Sequence, residues 1–308
     1  MYIFSERYRQ LLKAVLMLAV FAVPLVWFTD LYFQKEPTSV TVPEAVPNPM
    51  ASKATYVSIS PSDTTLQLRL SPPPQFTRIA AAPQSFLHYA RQLPLKPPGA
   101  DVLLYDGSPK ANQQVHVAVL DQYIGHQNLH QCADAAMRVK ADYLRTSGRQ
   151  DDISFHLTNG HNIAYKKWRQ GYRIAVQGNK TSWVQKAEAS DSDRSYWEYL
   201  ELIFMYAGTK SLSLELQPKS LGDIAAGDLL LLGGSPGHAV LVIDEAVDTT
   251  SGERIFLLAQ SYMPAQEMHI LKNPQDQFLS PWYSISKDNS IVTPEWSFDP
   301  DQLYHFID

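Results

Sequence analysis

Three apolar runs follow one another late in the chain, at 228–232, 239–244 and 254–260. They predict consecutive strands, with DTTSG turning the last two into a hairpin. Earlier the period lengthens. In NLHQCADAAMRVKADYLR a helix is predicted over 129–146, its apolar set Ala133, Ala136, Met137, Val139, Ala141, Tyr143 and Leu144. Asp134 in its first turn and Arg145 near its end suit the helix dipole. A second helix is predicted over 195–206 and a short third at SLSLEL.

Nearer the N-terminus, LQLRL alternates like a strand and AAPQSFLHYARQL has helical spacing. VLLYDG and VHVAVLD read as strands joined by the turn DGSPKANQQ, and ISFHL reads as a short strand. NGHNIAYKKWRQGYRI shows no clean period and is read as a substrate-facing loop. Helices followed by antiparallel strands predict an α+β fold with helices packed on one sheet, not the alternation of a doubly wound fold.

The first residues follow a different pattern. MYIFSERYRQLLKAVLMLAVFAVPLVWFTDLYF places Arg7, Arg9 and Lys13 before an apolar stretch, which predicts an inner-membrane anchor or an export signal over 1–33. The absence of a clear small-x-small cleavage site favours the uncleaved anchor. The basic flank would keep the N-terminus cytoplasmic and put the folded part in the periplasm, or outside the cell if the signal is removed. Residues 34–58 are rich in proline and small polar groups and read as a linker, leaving 59–308 as one α+β domain.

Composition narrows the function classes. The 308 residues are 45% hydrophobic and 19% charged, enough for a sizeable core, and the net charge of -5 with scattered lysines and arginines argues against a nucleic-acid partner. Cys132 is the only cysteine. An internal disulfide is therefore impossible, and in an exported protein a lone thiol is either packed as a small apolar residue or used as a nucleophile.

Cys132 lies at the predicted helix start, and His238 opens a strand directly after GGSPG. A helix N-terminus and a neighbouring imidazolium both lower a thiol pKa from ~8.5, so the pairing predicts an activated nucleophile and base. Gln260 closes the next strand, where antiparallel pairing brings it beside His238 as an orienting group. For the oxyanion, the Cys132 N–H and the Gln127 amide are candidates, with Asn128 and Gln131 as rivals to Gln127.

Cys at a helix start, His opening a strand and an amide residue ending the next strand resemble the papain-like cysteine peptidase superfamily. GDLLLLGGSPGHAVLVID resembles the corresponding segment of bacterial cell-wall endopeptidases of the NlpC type and their amidase relatives. That resemblance implies a papain-like fold, Cys132 as nucleophile, His238 as base, Gln260 as orienting residue and Gln127 as oxyanion donor. The sequence departs from the pattern in lacking Cys-Gly or Cys-Ser, in lacking the tryptophan that follows, and in carrying Gln at the third position. Over most of its length the chain also resembles an uncharacterised family of bacterial envelope proteins, through LPLKPPGADVLLYDG, QCADAAMRVKADYLR, WRQGYRI, YAGTKSLSLEL and LLAQSYMPAQEMHILKNP.

Trp168, Arg173 and Ser235 are candidate substrate-binding residues, as a groove-lining aromatic, a carboxylate-binding cation and a hydroxyl beside the base. His126, His130 and Cys132 lie close in sequence but lack a second ligand cluster, so no metal and no cofactor are expected. His269 in a probable strand reads as a packed or surface histidine. These readings converge on an envelope thiol hydrolase cutting an amide or peptide bond, with peptidoglycan stem peptide or another envelope peptide as partner. The alternative is a catalytically inactive binding or scaffolding module of the same architecture.

Overall fold

The computed structural model describes residues 59–60, 63–285 and 290–306, so the predicted anchor and the predicted linker both lie outside the described residues. Among the described residues no helix is long and apolar enough to cross a membrane. The described residues build an α+β fold around a nine-stranded sheet whose strands all pair antiparallel.

In chain order the elements are α1 (Leu66–Arg69), β1 (Thr77–Arg78), α2 (Phe86–Arg91), β2 (His116–Val119), α3 (Cys132–Thr146), β3 (Ser154–His156), β4 (Asn162–Ala164) and α4 (Tyr165–Arg169). Next come β5 (Tyr172–Gln177), β6 (Lys180–Gln185), α5 (Asp193–Tyr206), α6 (Thr209–Glu215), β7 (Gln217–Pro218), β8 (Leu229–Leu232), β9 (His238–Val247) and β10 (Arg254–Gln260). The chain closes with β11 (His269–Leu271), β12 (Trp282–Ser284), β13 (Ile291–Val292), β14 (Ser297–Phe298) and β15 (Leu303–His305). The sheet runs β2-β11-β10-β9-β8-β15-β7, with β1 on β9 and β12 on β10; β3–β4, β5–β6 and β13–β14 are separate hairpins.

The apolar runs are unbroken because the middle of the sheet is covered on both faces. Leu229, Leu231, Ala239, Leu241, Ile243, Leu257 and Ala259 join the core that holds α3 and α5. Their alternating neighbours Leu230, Val240, Val242, Phe256 and Leu258 join a second core with Leu271, Tyr283, Ile291, Phe298 and Leu303. Each such leucine, valine, isoleucine or phenylalanine stabilises by about 1.5–3 kcal/mol when withdrawn from water, so a single-faced sheet would leave much of this run unrewarded.

Between β9 and β10 the register shifts, with Leu257 opposite Asp244 and Leu258 opposite Val242. Ile243 is the extra residue, and the bulge turns the fully buried Asp244 to the face on which α2 packs. There the carboxylate accepts from Arg78 Nε at 2.7 Å and Arg91 Nε at 2.8 Å.

Several predicted elements differ. LQLRL forms the helical turn α1, because Leu66 and Arg69 are both buried on one side and the Arg69 guanidinium satisfies the Asp63 and Lys96 carbonyls. VLLYDG forms only isolated bridges, Leu103 to Pro109 and Leu104 to Gln266, around a turn at Gly107. NGHNIAYKKWRQGYRI is structured, supplying β4, α4 and the start of β5, and it buries Tyr165 and Trp168. Gly171 makes the turn into β5 with φ of 91°, where an added Cβ would stand 2.1 Å from the Ala187 carbonyl oxygen.

Asp244→Asn leaves two arginines facing a neutral amide in the interior. A loss of about 3–5 kcal/mol is expected, read as a lower urea midpoint with an unchanged slope.

Candidate functional site

Helix α3 begins at Cys132, and Gln131 caps it in an extended conformation while its N–H donates to Asp134 Oδ2 at 3.0 Å. The Cys132 N–H lies in the first turn, where no intrahelical acceptor exists. Packing of α3 against β9 brings this helix start to the rim of the sheet. His238 opens β9 opposite Leu232, after the tight loop 233–237. That loop requires its glycines. A Cβ on Gly233 would lie 2.1 Å from Ser213 Oγ, and one on Gly237 would lie 2.5 Å from Thr209 Oγ1, so side chains would push the loop off α6.

Cys132 and His238 line one cavity of about 280 Å³, together with Gln131, Asp134, Ser235, Tyr262 and Trp296. They reach it from different sides. Cys132 belongs to the helix-side core, whereas His238 continues the alternation of Val240 and Val242 on the other face.

Only 1% of His238 is exposed, and its Nε2 lies within hydrogen-bond distance of Gln260 Oε1, at 2.8 Å. The Gln260 amide nitrogen donates to Glu295 Oε2 at 2.8 Å, and Glu295 Oε1 accepts from Lys110 Nζ at 2.7 Å. Lys110 also stands 5.1 Å from the centroid of the Tyr262 ring. Around the imidazole sit Tyr262, Trp296 and Phe298, with ring centroids 4.9, 5.1 and 6.0 Å away.

Enclosure sets the charge state. Burial pulls the His238 imidazolium down to about 4, with Lys110 adding to the effect and the Gln260 hydrogen bond opposing it. Burial pushes the Cys132 thiol up to about 11; Asp134 adds to this and the Ala239 N–H opposes it. Asp134 is itself raised well above the carboxylate range by burial, and its Oδ1 has no hydrogen-bond partner. Both shifts favour the neutral thiol and the neutral ring over a resting thiolate–imidazolium pair. This reverses the lowered thiol pKa expected from the sequence: the desolvation of the buried thiol outweighs the helix end. No hydrogen bond joins the thiol to the ring among the described residues.

The other predicted site residues are distributed unevenly. Ser235 lines the cavity. Gln127 does not; its amide donates to Glu201 at 3.2 Å on the surface, while Asn128 Oδ1 accepts from the Ala265 N–H and Gln131 borders the cavity. Trp168 and Arg173 also lie away from it. The indole is buried and donates to the Ser195 carbonyl at 2.9 Å, and the Arg173 guanidinium lies 4.0 Å over that ring and donates to the carbonyls of Trp168 and Tyr172. Both serve the packing of α4 against α5 and β5, which satisfies their polar groups without a ligand.

His130 and His269 are fully buried, and burial lowers both to about 3. Among the described residues no group of three or more His, Cys, Asp or Glu is arranged to hold a metal ion.

Glu295 and Lys110 were not anticipated. Lys110 belongs to a turn and Glu295 to the turn of the β13–β14 hairpin, and neither stretch has a pattern that links it to His238.

Residues 66–305 match a family described as a domain of unknown function (4846). The chain belongs to that family. No curated protein and no solved structure matches the chain. The domain of unknown function spans Lys110, Cys132, His238, Gln260 and Glu295, so the whole cavity and its hydrogen-bond chain lie within the family's matched region.

With one cysteine in the chain, iodoacetamide reports a single position. Labelling of the native protein is expected to be slow at neutral pH and to rise only as pH approaches about 11. Asp134→Asn keeps an acceptor for the Gln131 N–H and removes the acid that raises the thiol, so the labelling profile should move to lower pH. Because the folded acid's pKa is raised, its contribution to stability is present below the unfolded value of ~3.9 and lost as pH rises, so the variant should gain most in thermal midpoint near pH 7. An unchanged profile would show that Asp134 does not act on the sulfur.

Proposed function

We propose that this chain is an envelope thiol hydrolase acting on an amide or peptide bond, with a peptidoglycan stem peptide as the substrate class. One observation carries the reading: a helix-start cysteine and a histidine held by an amide line the same cavity, although 106 residues separate their numbers, 132 and 238. The reading takes the α+β frame as papain-like and the N-terminal segment as an inner-membrane anchor facing the domain to the periplasm.

In this mechanism the neutral pair is the reactive form. As Cys132 Sγ bonds to the substrate carbonyl carbon, its proton moves to His238 Nδ1, and the carbonyl oxygen takes up negative charge beside the Cys132 N–H. Collapse breaks the C–N bond, and the Nδ1 proton goes to the leaving amine, leaving a thioester on Cys132. Water then attacks the thioester carbon and gives its proton to Nδ1; the C–S bond breaks, and that proton returns to sulfur as the carboxylic acid departs. Contacts in an unliganded site are commonly longer than those of the reacting complex, and substrate in the cavity is required to close the gap between sulfur and ring.

A second reading is favoured by the raised thiol, the lowered imidazole and the missing sulfur–ring hydrogen bond. In it the domain binds envelope glycan or peptide without turnover, and Cys132 is a small packed residue.

Incubating purified peptidoglycan with the full chain and with Cys132→Ala separates the two. The hydrolase reading expects soluble peptide fragments from the wild type and a loss on the order of 10³-fold or more in the variant. Equal release from both would remove it. Equal co-sedimentation of both with peptidoglycan, without release, would favour the binding module.

A further inference from the structure

We infer that Glu295, anchored by Lys110, is the positioning residue that fixes the proton of His238 on Nε2 and leaves Nδ1 as the base. The placement follows from which groups can donate. A carboxylate only accepts hydrogen bonds, so at 2.8 Å from Glu295 the Gln260 group must be its NH2. The opposite orientation would set two acceptors against each other with no proton between them. With the nitrogen committed to Glu295, the Gln260 oxygen faces His238, and at 2.8 Å the ring must supply the hydrogen from Nε2. A neutral imidazole carries one N–H, so Nδ1 keeps its lone pair.

Without Glu295 the direction of this chain is undetermined. Gln260 could rotate by half a turn, donate to a bare Nε2 and leave the proton on Nδ1, where the ring can no longer accept one. An amide is ambivalent in a way that a carboxylate is not, so Gln260 transmits an orientation that it cannot set. Lys110 holds the carboxylate from the far side at 2.7 Å, with both side chains largely buried. The β13–β14 hairpin contributes twice, since Glu295 lies in its turn and Trp296 and Phe298 cover the imidazole.

The consequence for catalysis rests on the hydrolase reading above, in which Nδ1 takes the thiol proton. The proton position itself does not. It can be read without turnover from long-range proton–nitrogen correlations on the full chain labelled with 15N-histidine. For the wild type above pH 6, a protonated Nε2 and a bare Nδ1 are expected for His238, assigned by its loss in His238→Gln. In Glu295→Gln the second amide can rotate with the first, and the His238 signals should shift towards a mixture of both tautomers. If removal of one charge from the pair prevents folding, Lys110→Met with Glu295→Gln removes both and is expected to give the same shift. A wild-type proton on Nδ1, or variants that retain the wild-type pattern, would overturn the inference. A shifted tautomer in a protein that releases no peptidoglycan fragments would uphold the relay and remove only the hydrolase reading.

Discussion

Water is excluded from both faces of the β8–β9–β10 sheet, and that constraint governs the fold and the candidate site alike. A sheet with one wet face alternates apolar and polar positions; here every residue of Leu229–Leu231 and of 239–243 is buried. Polar groups that enter such a sheet must be given partners or held neutral. Asp244 takes the first course, meeting two arginines where the bulge at Ile243 turns it to the helix side. At His238, and at Cys132 and Asp134 on the helix that packs against β9, burial is the largest cause of a shift towards the neutral form.

The hydrogen-bond chain from His238 outward is the same constraint met by another means. A buried imidazole N–H left without an acceptor costs about 1–3 kcal/mol, and satisfying it with Gln260 transfers the demand to the amide's own NH2. Glu295 meets that demand but brings a negative charge, and Lys110 compensates the charge. Each link follows from the one before it. The chain ends at an ion pair because the Lys110 ammonium, a donor only, compensates the charge that the carboxylate brings.

What the sequence reveals is what local pattern controls. The apolar runs and the helical spacing after Cys132 are set by neighbours within a few residues, so β8, β9, β10, α3 and α5 are legible, as is the approach of Gln260 to His238 through strand pairing. LQLRL misleads because alternation over five residues fits a strand and one helical turn almost equally, and the choice falls to the carbonyls that capture Arg69. Trp168 and Arg173 mislead in another way: an aromatic next to a cation suggests a ligand, but the two satisfy each other. Gln127 is one of several polar residues before the helix, and only the path of the loop decides that it meets Glu201. Glu295 and Lys110 are illegible because their meeting depends on the path of the C-terminal hairpin, 185 positions away in sequence. The thiol pKa is misread for a related reason. Helix position is a local property, while desolvation depends on the elements that pack around the thiol.

A buried thiol and imidazole, both shifted towards their neutral forms, bear differently on the two functional readings. In the binding module, neutrality is an end state: the thiol is filler and the buried ion pair behind Gln260 is a matter of structure alone. In the hydrolase, the low dielectric that suppresses a resting ion pair also strengthens any hydrogen bond made to a developing charge, so the same enclosure that quiets the thiol would favour proton transfer once a carbonyl occupies the cavity. The orientation of Gln260 discriminates between them in principle. Packing requires only that the amide be satisfied, and either orientation would do if its second partner were a hydroxyl or another amide. A carboxylate at that position removes the freedom and leaves the imidazole with its lone pair at Nδ1, an arrangement a base needs and a filler does not.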